Sequence, residues 1–319
     1  PMLLAIGTAL AGAGFLLMGA SGGLLLLVGG LALSGLGSST QHPIGSDLVA
    51  RAFPGSRSRA ALGTYNFAGD LGKMALPAAT AFALTWMPWR SAAFLFGVLG
   101  LAAAALIALA LRDGSGKAGA ATRAMEDASA EDPALGKRRG GFPILLSIGI
   151  IDSATRMGFL TFLPFLLAVK GAGLTTVGTA LTLIFAGGAA GKLVCGLLGA
   201  RIGVLGTVFL TEGGTALGIL ALLPLPLGYG LMLLPLIGVA LNGTSSVLYG
   251  SVPELVAPER QARSFGLFYT GTIGGGAVSP AVYGLFSDTL GVPAMMVLIA
   301  GIVLLTLPLT WLLNRKLRR

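Results

Sequence analysis

The chain has 319 residues, of which 55% are hydrophobic and only 10% charged, with a mean hydropathy of +0.88. A water-soluble domain carries about 25% charged residues, so the composition excludes a soluble globular protein and implies an all-α polytopic membrane protein. The excess of 21 Lys and Arg over 12 Asp and Glu does not mark a nucleic-acid binder, because these charges fall between apolar runs, at membrane surfaces.

Spanning about 30 Å of hydrocarbon takes roughly 20 apolar residues as a helix. Runs of that kind predict spans at 2–20, 23–46, 60–84 and 89–111. A hydrophilic stretch follows, in which Lys117, Arg123, Glu126, Asp127, Glu131, Asp132 and Lys137-Arg138-Arg139 break any apolar periodicity. Six further spans are predicted at 142–168, 174–199, 203–223, 227–250, 263–286 and 292–313. The chain thus divides into a four-helix bundle (1–112), a solvated linker (113–141) and a six-helix bundle (142–319). Many of the 51 glycines sit inside the spans, as in Ala186-Gly187-Gly188-Ala189-Ala190-Gly191, where small residues let membrane helices approach closely. The lone Cys195, in an apolar run, reads as packing and leaves no intrachain disulfide or cysteine metal cluster.

A shift of 203 residues superimposes the four early spans on the last four. It lays Leu62-Gly63-Thr64-Tyr65 on Phe265-Gly266-Leu267-Phe268, Gly72 on Gly275 and Pro77 on Pro280. A parallel repeat of six-helix halves is the arrangement of major facilitator transporters. On that pattern 10 of 12 transmembrane helices are present, and the partners of the spans at 142–168 and 174–199 fall before residue 1. The expectation is therefore a chain truncated at its N-terminus, consistent with its opening on Pro1 without the charged start of a signal peptide. Arg51, Arg57 and Arg59, six basic residues in the long loop, Arg201, Arg260, Arg263 and the tail Arg315, Lys316, Arg318 and Arg319 all fall on one side. The other side carries only Arg90 and Lys170. The positive-inside rule makes the basic side and the C-terminus cytoplasmic in a cell (inner or plasma) membrane, with Trp86 and Trp89 at the outer interface.

Gly196-Leu197-Leu198-Gly199-Ala200-Arg201-Ile202-Gly203 resembles the cytoplasmic G-x-L-x-D-R-x-G signature of that superfamily, with Ala200 in the acidic position. The segment Gly37-Ser38-Ser39-Thr40-Gln41-His42-Pro43-Ile44-Gly45-Ser46, followed by Leu62-Gly63 and by Gly69 to Pro77, resembles the fosmidomycin-resistance type of drug exporter. Ile44 stands where that type has Glu, and Leu76 where the exporter signature has Gly. The superfamily resemblance covers essentially the whole chain, and the exporter resemblance about forty residues. It implies a proton-coupled transporter whose cavity is lined, in this chain, by the spans at 23–46, 142–168 and 227–250.

An ionisable residue at the bilayer centre costs several kcal/mol and is a functional candidate by default. Asp152 lies about 15 Å into its span at 1.5 Å per residue, with Arg156 on the same face at i+4. The two are either a self-neutralising pair that lowers the cost of insertion, or a proton-coupling and anion-holding site. Asp70 and Lys73 repeat the motif at i+3 on a span that the resemblance makes a gating helix; they are either functional or a plain ion pair. Glu212 also lies near mid-depth, but on a span of the supporting class, so it reads as a packed group before a ligand. His42, the only histidine, is either a packing residue or a proton-linked cavity residue, opened by the carbonyl that Pro43 leaves free. Asn242, Thr244, Ser245, Ser246 and Tyr249 are either substrate contacts or cross-helix hydrogen bonds.

With one histidine, one cysteine and no H-E-x-x-H motif, an intramembrane enzyme lacks its parts, and no metal site is expected. The glycine strings lack the Gly-Lys-Ser/Thr of a phosphate loop, so no ATP site is expected either. What remains is a secondary transporter working by alternating access, monomeric, without cofactor, driven by an ion gradient of protons and serving a small molecule. The first reading is efflux of a drug-like or anionic compound. Metabolite uptake and a non-transporting receptor of the same fold are the alternatives.

Overall fold

The computed structural model describes residues 2–52, 56–110, 140–252, 255–256 and 261–317. Hydrocarbon offers no hydrogen-bond partners, so a lipid-exposed backbone must satisfy itself within each segment. Every regular element among the described residues is accordingly a helix. In chain order these are α1 (Met2–Gly19), α2 (Leu24–Ser39), α3 (Gln41–Ala52), α4 (Ser56–Ala83), α5 (Trp89–Ala110), α6 (Gly141–Val169), α7 (Leu174–Leu222), α8 (Leu227–Gly250), α9 (Gln261–Leu290), α10 (Val292–Leu304) and α11 (Thr306–Leu317).

Several predicted spans are interrupted or joined, each for a local reason. The span at 23–46 is two helices separated at Thr40, where Pro43 has no N–H to offer the Ser39 carbonyl. The span at 292–313 breaks at Leu305 in the same way, because Pro308 cannot donate to the Leu304 carbonyl. The spans at 174–199 and 203–223 form one helical run whose second stretch begins at Gly203. There φ is 71° and ψ is 176°, a conformation that glycine adopts without a Cβ clash.

Among the described residues, 7 helices are long and apolar enough to cross a membrane, and Leu24–Ser39 is apolar but shorter. The other two predicted spans fail on polarity and not on length. Helices α4 and α9 have 28 and 30 residues, but α4 carries Arg57, Arg59, Asp70 and Lys73, and α9 carries Thr270, Thr272, Ser279 and three consecutive glycines. Large apolar side chains face outward, Leu25 at 86% exposure and Met232 at 76% among them, as a lipid-facing surface requires.

The chain forms two compact units, Pro1–Gly72 with Ala79–Ala128, and Lys73–Ala78 with Ser129–Arg319. In the first, α1 packs on α2 and α5 through glycines: a methyl at Gly14 would meet the Gly30 carbonyl and Ser34 N at 2.5 Å, and one at Gly12 would meet Gly97 O at 2.9 Å. Arg90 Nε donates to Ser21 O at 3.0 Å across the α1–α2 turn, and its guanidinium lies 4.8 Å from the Trp89 ring. In the second unit α7 packs chiefly on α8, and α6 on α9. Its core joins Phe159, Leu163, Ile184, Ile219, Leu234 and Ile299, all fully buried. Lys170 Nζ donates to Leu223 O and Leu225 O, both at 2.7 Å. Arg90 and Lys170 are thus each tied to a turn.

Candidate functional site

One face of α6 is committed to packing. Gly149 faces Phe268 and Gly158 faces Tyr283, both on α9, so closely that a Cβ at either glycine would collide with the ring. Asp152, Ser153 and Thr155 are buried between those contacts, and one turn after Asp152 the helix presents Arg156, half-buried. The second stretch of α7, restarted by Gly203, brings Thr207, Thr211, Glu212 and Thr215 into the same interior, and α8 contributes Thr244.

These side chains gather polar groups in the interior of the second unit. Arg156, one turn on, and Glu212 both act electrostatically on the Asp152 carboxyl. Glu212 in turn lies within the electrostatic reach of Asp152 and Arg156. The Thr244 and Thr211 hydroxyls are 2.6 Å apart, and Thr211 Oγ1 donates to Thr207 O at 2.8 Å, within its own helix. Asp152 is 5% exposed and Glu212 2%. Three buried oxygens, Glu212 Oε1, Thr155 Oγ1 and Thr215 Oγ1, have no hydrogen-bond partner among the described residues. Removing carboxylates from water is expensive unless each is paired. Two carboxyls and one guanidinium are therefore a site able to hold a positive charge and to change its charge state.

The family model described as Major Facilitator Superfamily matches residues 1–234 and 145–319, which together span the chain. The chain belongs to the major facilitator superfamily. This makes it an integral, multi-pass membrane transporter. Among solved structures, the fold is similar to a bacterial homolog of the human lysosomal transporter Spinster. The inward-facing, unoccupied form aligns at a TM-score of 0.78 with 13% identity, over 98% of this chain and 82% of that one. The inward-facing, occupied form aligns at 0.74 with the same identity and coverage. No curated protein matches the sequence.

In this facilitator the predicted site residues do not all converge. Asp152, Arg156 and Glu212 come together, the last from a helix that the family resemblance assigns to support. Asp70 is buried and Lys73 exposed on α4, and each has partners of its own. Asn242 Nδ2 donates to Gly238 O at 3.2 Å in its own helix, and its side chain covers Gly188. The side chains of His42 and Tyr249 lie outside the described residues, as does that of Ser246. Thr211, Thr155 and Thr215 carry no signal of their own in the sequence. The available signal is depth: Asp152 and Glu212 each lie about ten residues into spans that, alternating in direction, run the same way.

Proposed function

We propose that this facilitator is a proton-coupled exporter of a small drug-like or anionic compound. It works by alternating access in the cell membrane as a monomer, with its C-terminus in the cytoplasm and no cofactor beyond the ion gradient. The observation that carries the coupling is the burial of Asp152 and Glu212 with Arg156 half-buried one turn from Asp152, because ionisable groups placed at this depth are costly unless they work. Export rests on the segment from Gly37 to Ser46 and its continuation to Pro77, which resembles fosmidomycin-resistance exporters. Asp152 is the proton-coupling group and Arg156 the group that orients it or holds a substrate anion. His42, Asp70, Lys73, Asn242 and Tyr249 are further candidates for substrate contact.

Growth inhibition by a panel of antibiotics, phosphonates included, tests this in an efflux-deficient host expressing the protein or its Asp152→Asn variant. Export gives resistance that the variant loses at equal membrane abundance. Unchanged susceptibility to every compound, with the protein present in the membrane, rejects export and turns the search to solute accumulation driven by an imposed pH gradient.

A further inference from the structure

We propose that the open face of α10 and α11 binds an acidic phospholipid, with an acyl chain along its apolar residues and the phosphate on the Arg315 guanidinium, where Arg315 stacks on Trp311. The leaflet is the cytoplasmic one on the reading of the C-terminus given above. The site itself does not depend on what the protein transports.

The last apolar span runs from Val292 to Arg315, and its two faces are assigned by what they touch. Val303, Thr306, Thr310 and Leu313 are buried. Thr306 Oγ1 donates to Val303 O, Thr310 Oγ1 donates to Thr306 O at 2.7 Å, and Leu313 joins the core of Leu145, Ile148 and Val208. The other face is open: Leu304, Leu305, Pro308, Trp311, Leu312 and Arg315 are all exposed. Spacings of three and four residues put Pro308, Trp311, Leu312 and Arg315 in one row of α11, with Leu304 and Leu305 leading into it. An apolar row that ends, at the limit of a span, in a tryptophan and then an arginine follows the profile of a lipid. The acyl chain comes first, then the interface where tryptophan settles, then the phosphate.

The Arg315 guanidinium carbon lies 4.2 Å from the centroid of the Trp311 ring. Stacking of this kind orients the guanidinium and leaves the N–H donors at its edge open, in the fork that matches a phosphate. Among the described residues the ring is the only partner of that guanidinium. The other arginine–tryptophan pair differs: Arg90 lies 4.8 Å from the Trp89 ring, but its Nε donates to Ser21 O. Charge points the same way. Lys316, Arg318 and Arg319 come next in the sequence, and no acidic residue follows Asp288. The shift of 203 residues lays Arg112 on Arg315, but Ala108 on Trp311 and Asp113 on Lys316. A basic residue closing the span is thus common to both repeats and is plain anchoring. The aromatic platform and the added positive charge belong to the second, and these are what a lipid phosphate requires beyond an anchor.

Trp86→Phe with Trp89→Phe leaves Trp311 as the only tryptophan, so its fluorescence reports its own lipid neighbours. The test is quenching of that fluorescence in phosphatidylcholine vesicles containing brominated phosphatidylglycerol or, at equal mole fraction, brominated phosphatidylcholine. Phosphatidylglycerol should quench more strongly at every mole fraction. Arg315→Gln should lower its relative affinity about fivefold, the worth of one basic residue near an anionic surface. Arg315→Lys, which keeps the charge and loses the planar fork, should fall between the two. Equal quenching by the two lipids overturns the proposal, and that comparison holds even where an Arg315 variant fails to fold. Emission that neither lipid quenches overturns the exposure of this face to lipid, and the proposal with it. A preference that Arg315→Gln leaves unchanged overturns the assignment to the Trp311 and Arg315 pair. The spectra need no transported substrate, so a failed resistance assay leaves them readable, and a missing lipid preference leaves the export reading standing.

Discussion

The two units brace the same pair of helix positions and then part company at the next residue. In the first, Gln41 Nε2 donates to Thr8 Oγ1 at 3.3 Å; in the second, the hydroxyls of Thr244 and Thr211 meet at 2.6 Å. Thr8 and Thr211 are 203 residues apart, as are Gln41 and Thr244. Even the local bond recurs, with Thr8 Oγ1 donating to Leu4 O at 2.9 Å and Thr211 Oγ1 to Thr207 O at 2.8 Å. The following position is Ala9 in one unit and Glu212 in the other, and one turn later Gly12 stands against Thr215. The polar brace is therefore scaffold, common to both repeats, while the carboxyl is an addition that the scaffold does not need.

The largest expected effect comes from forcing the units to be alike. Ala9→Glu places a carboxyl on α1 at the position of Glu212 in the repeat, and a charge near a helix centre costs about 3 kcal/mol on insertion scales. We expect a sharp loss of folded protein in the membrane, read by fluorescence size-exclusion after mild extraction. Glu212→Gln removes a charge from a site where Asp152 and Arg156 still balance, and should leave the folded yield near that of wild type. Equal losses in both variants would break the comparison, making Glu212 part of the scaffold after all.

The second effect concerns what the units have in common. A methyl at Gly187 strikes the Pro235 carbonyl and one at Gly14 the Gly30 carbonyl, backbone atoms that cannot swing aside. Gly187→Ala and Gly14→Ala should each cost about 1–3 kcal/mol of overpacking, seen as lower melting temperatures in detergent. Gly213→Ala, which meets open space, should be neutral. A cost confined to the second unit would show that close helix approach is not general to the repeat.

The helices are legible in the sequence because an apolar run of span length in a lipid solvent has one outcome, and the repeat is legible from Gly72, Pro77 and their counterparts. The break at Thr40 is half-legible: Pro43 implies a freed carbonyl, but not that the helix divides there. At the site, the i+4 spacing of Asp152 and Arg156 is a property of one helix and so can be read from sequence. The meeting of Asp152 with Glu212 is not, because periodicity gives a face and a depth but not the neighbour that covers it. The repeat offers a partial remedy. Laying Thr8 and Gln41 on Thr211 and Thr244 aligns two pairs of hydrogen-bonding side chains at matching positions, and the second pair stands beside Glu212.

The smallest effect is the brace itself, and it separates scaffold from site most finely. Hydrogen bonds between membrane helices average about 0.6 kcal/mol in double-mutant cycles, so Thr8→Val with Gln41→Leu, and Thr211→Val with Thr244→Val, should show coupling of that order. The second should be larger, because its contact is shorter and buried, whereas the first is partly exposed. Only the second brace stands next to a buried carboxyl, that of Glu212, the residue after Thr211. Thr244→Val should therefore move the pH dependence of transport, and Gln41→Leu should leave it unchanged at similar stability. If both variants shift the profile alike, the brace acts through general helix packing, and the special standing of the second unit rests on Glu212 and Asp152 alone.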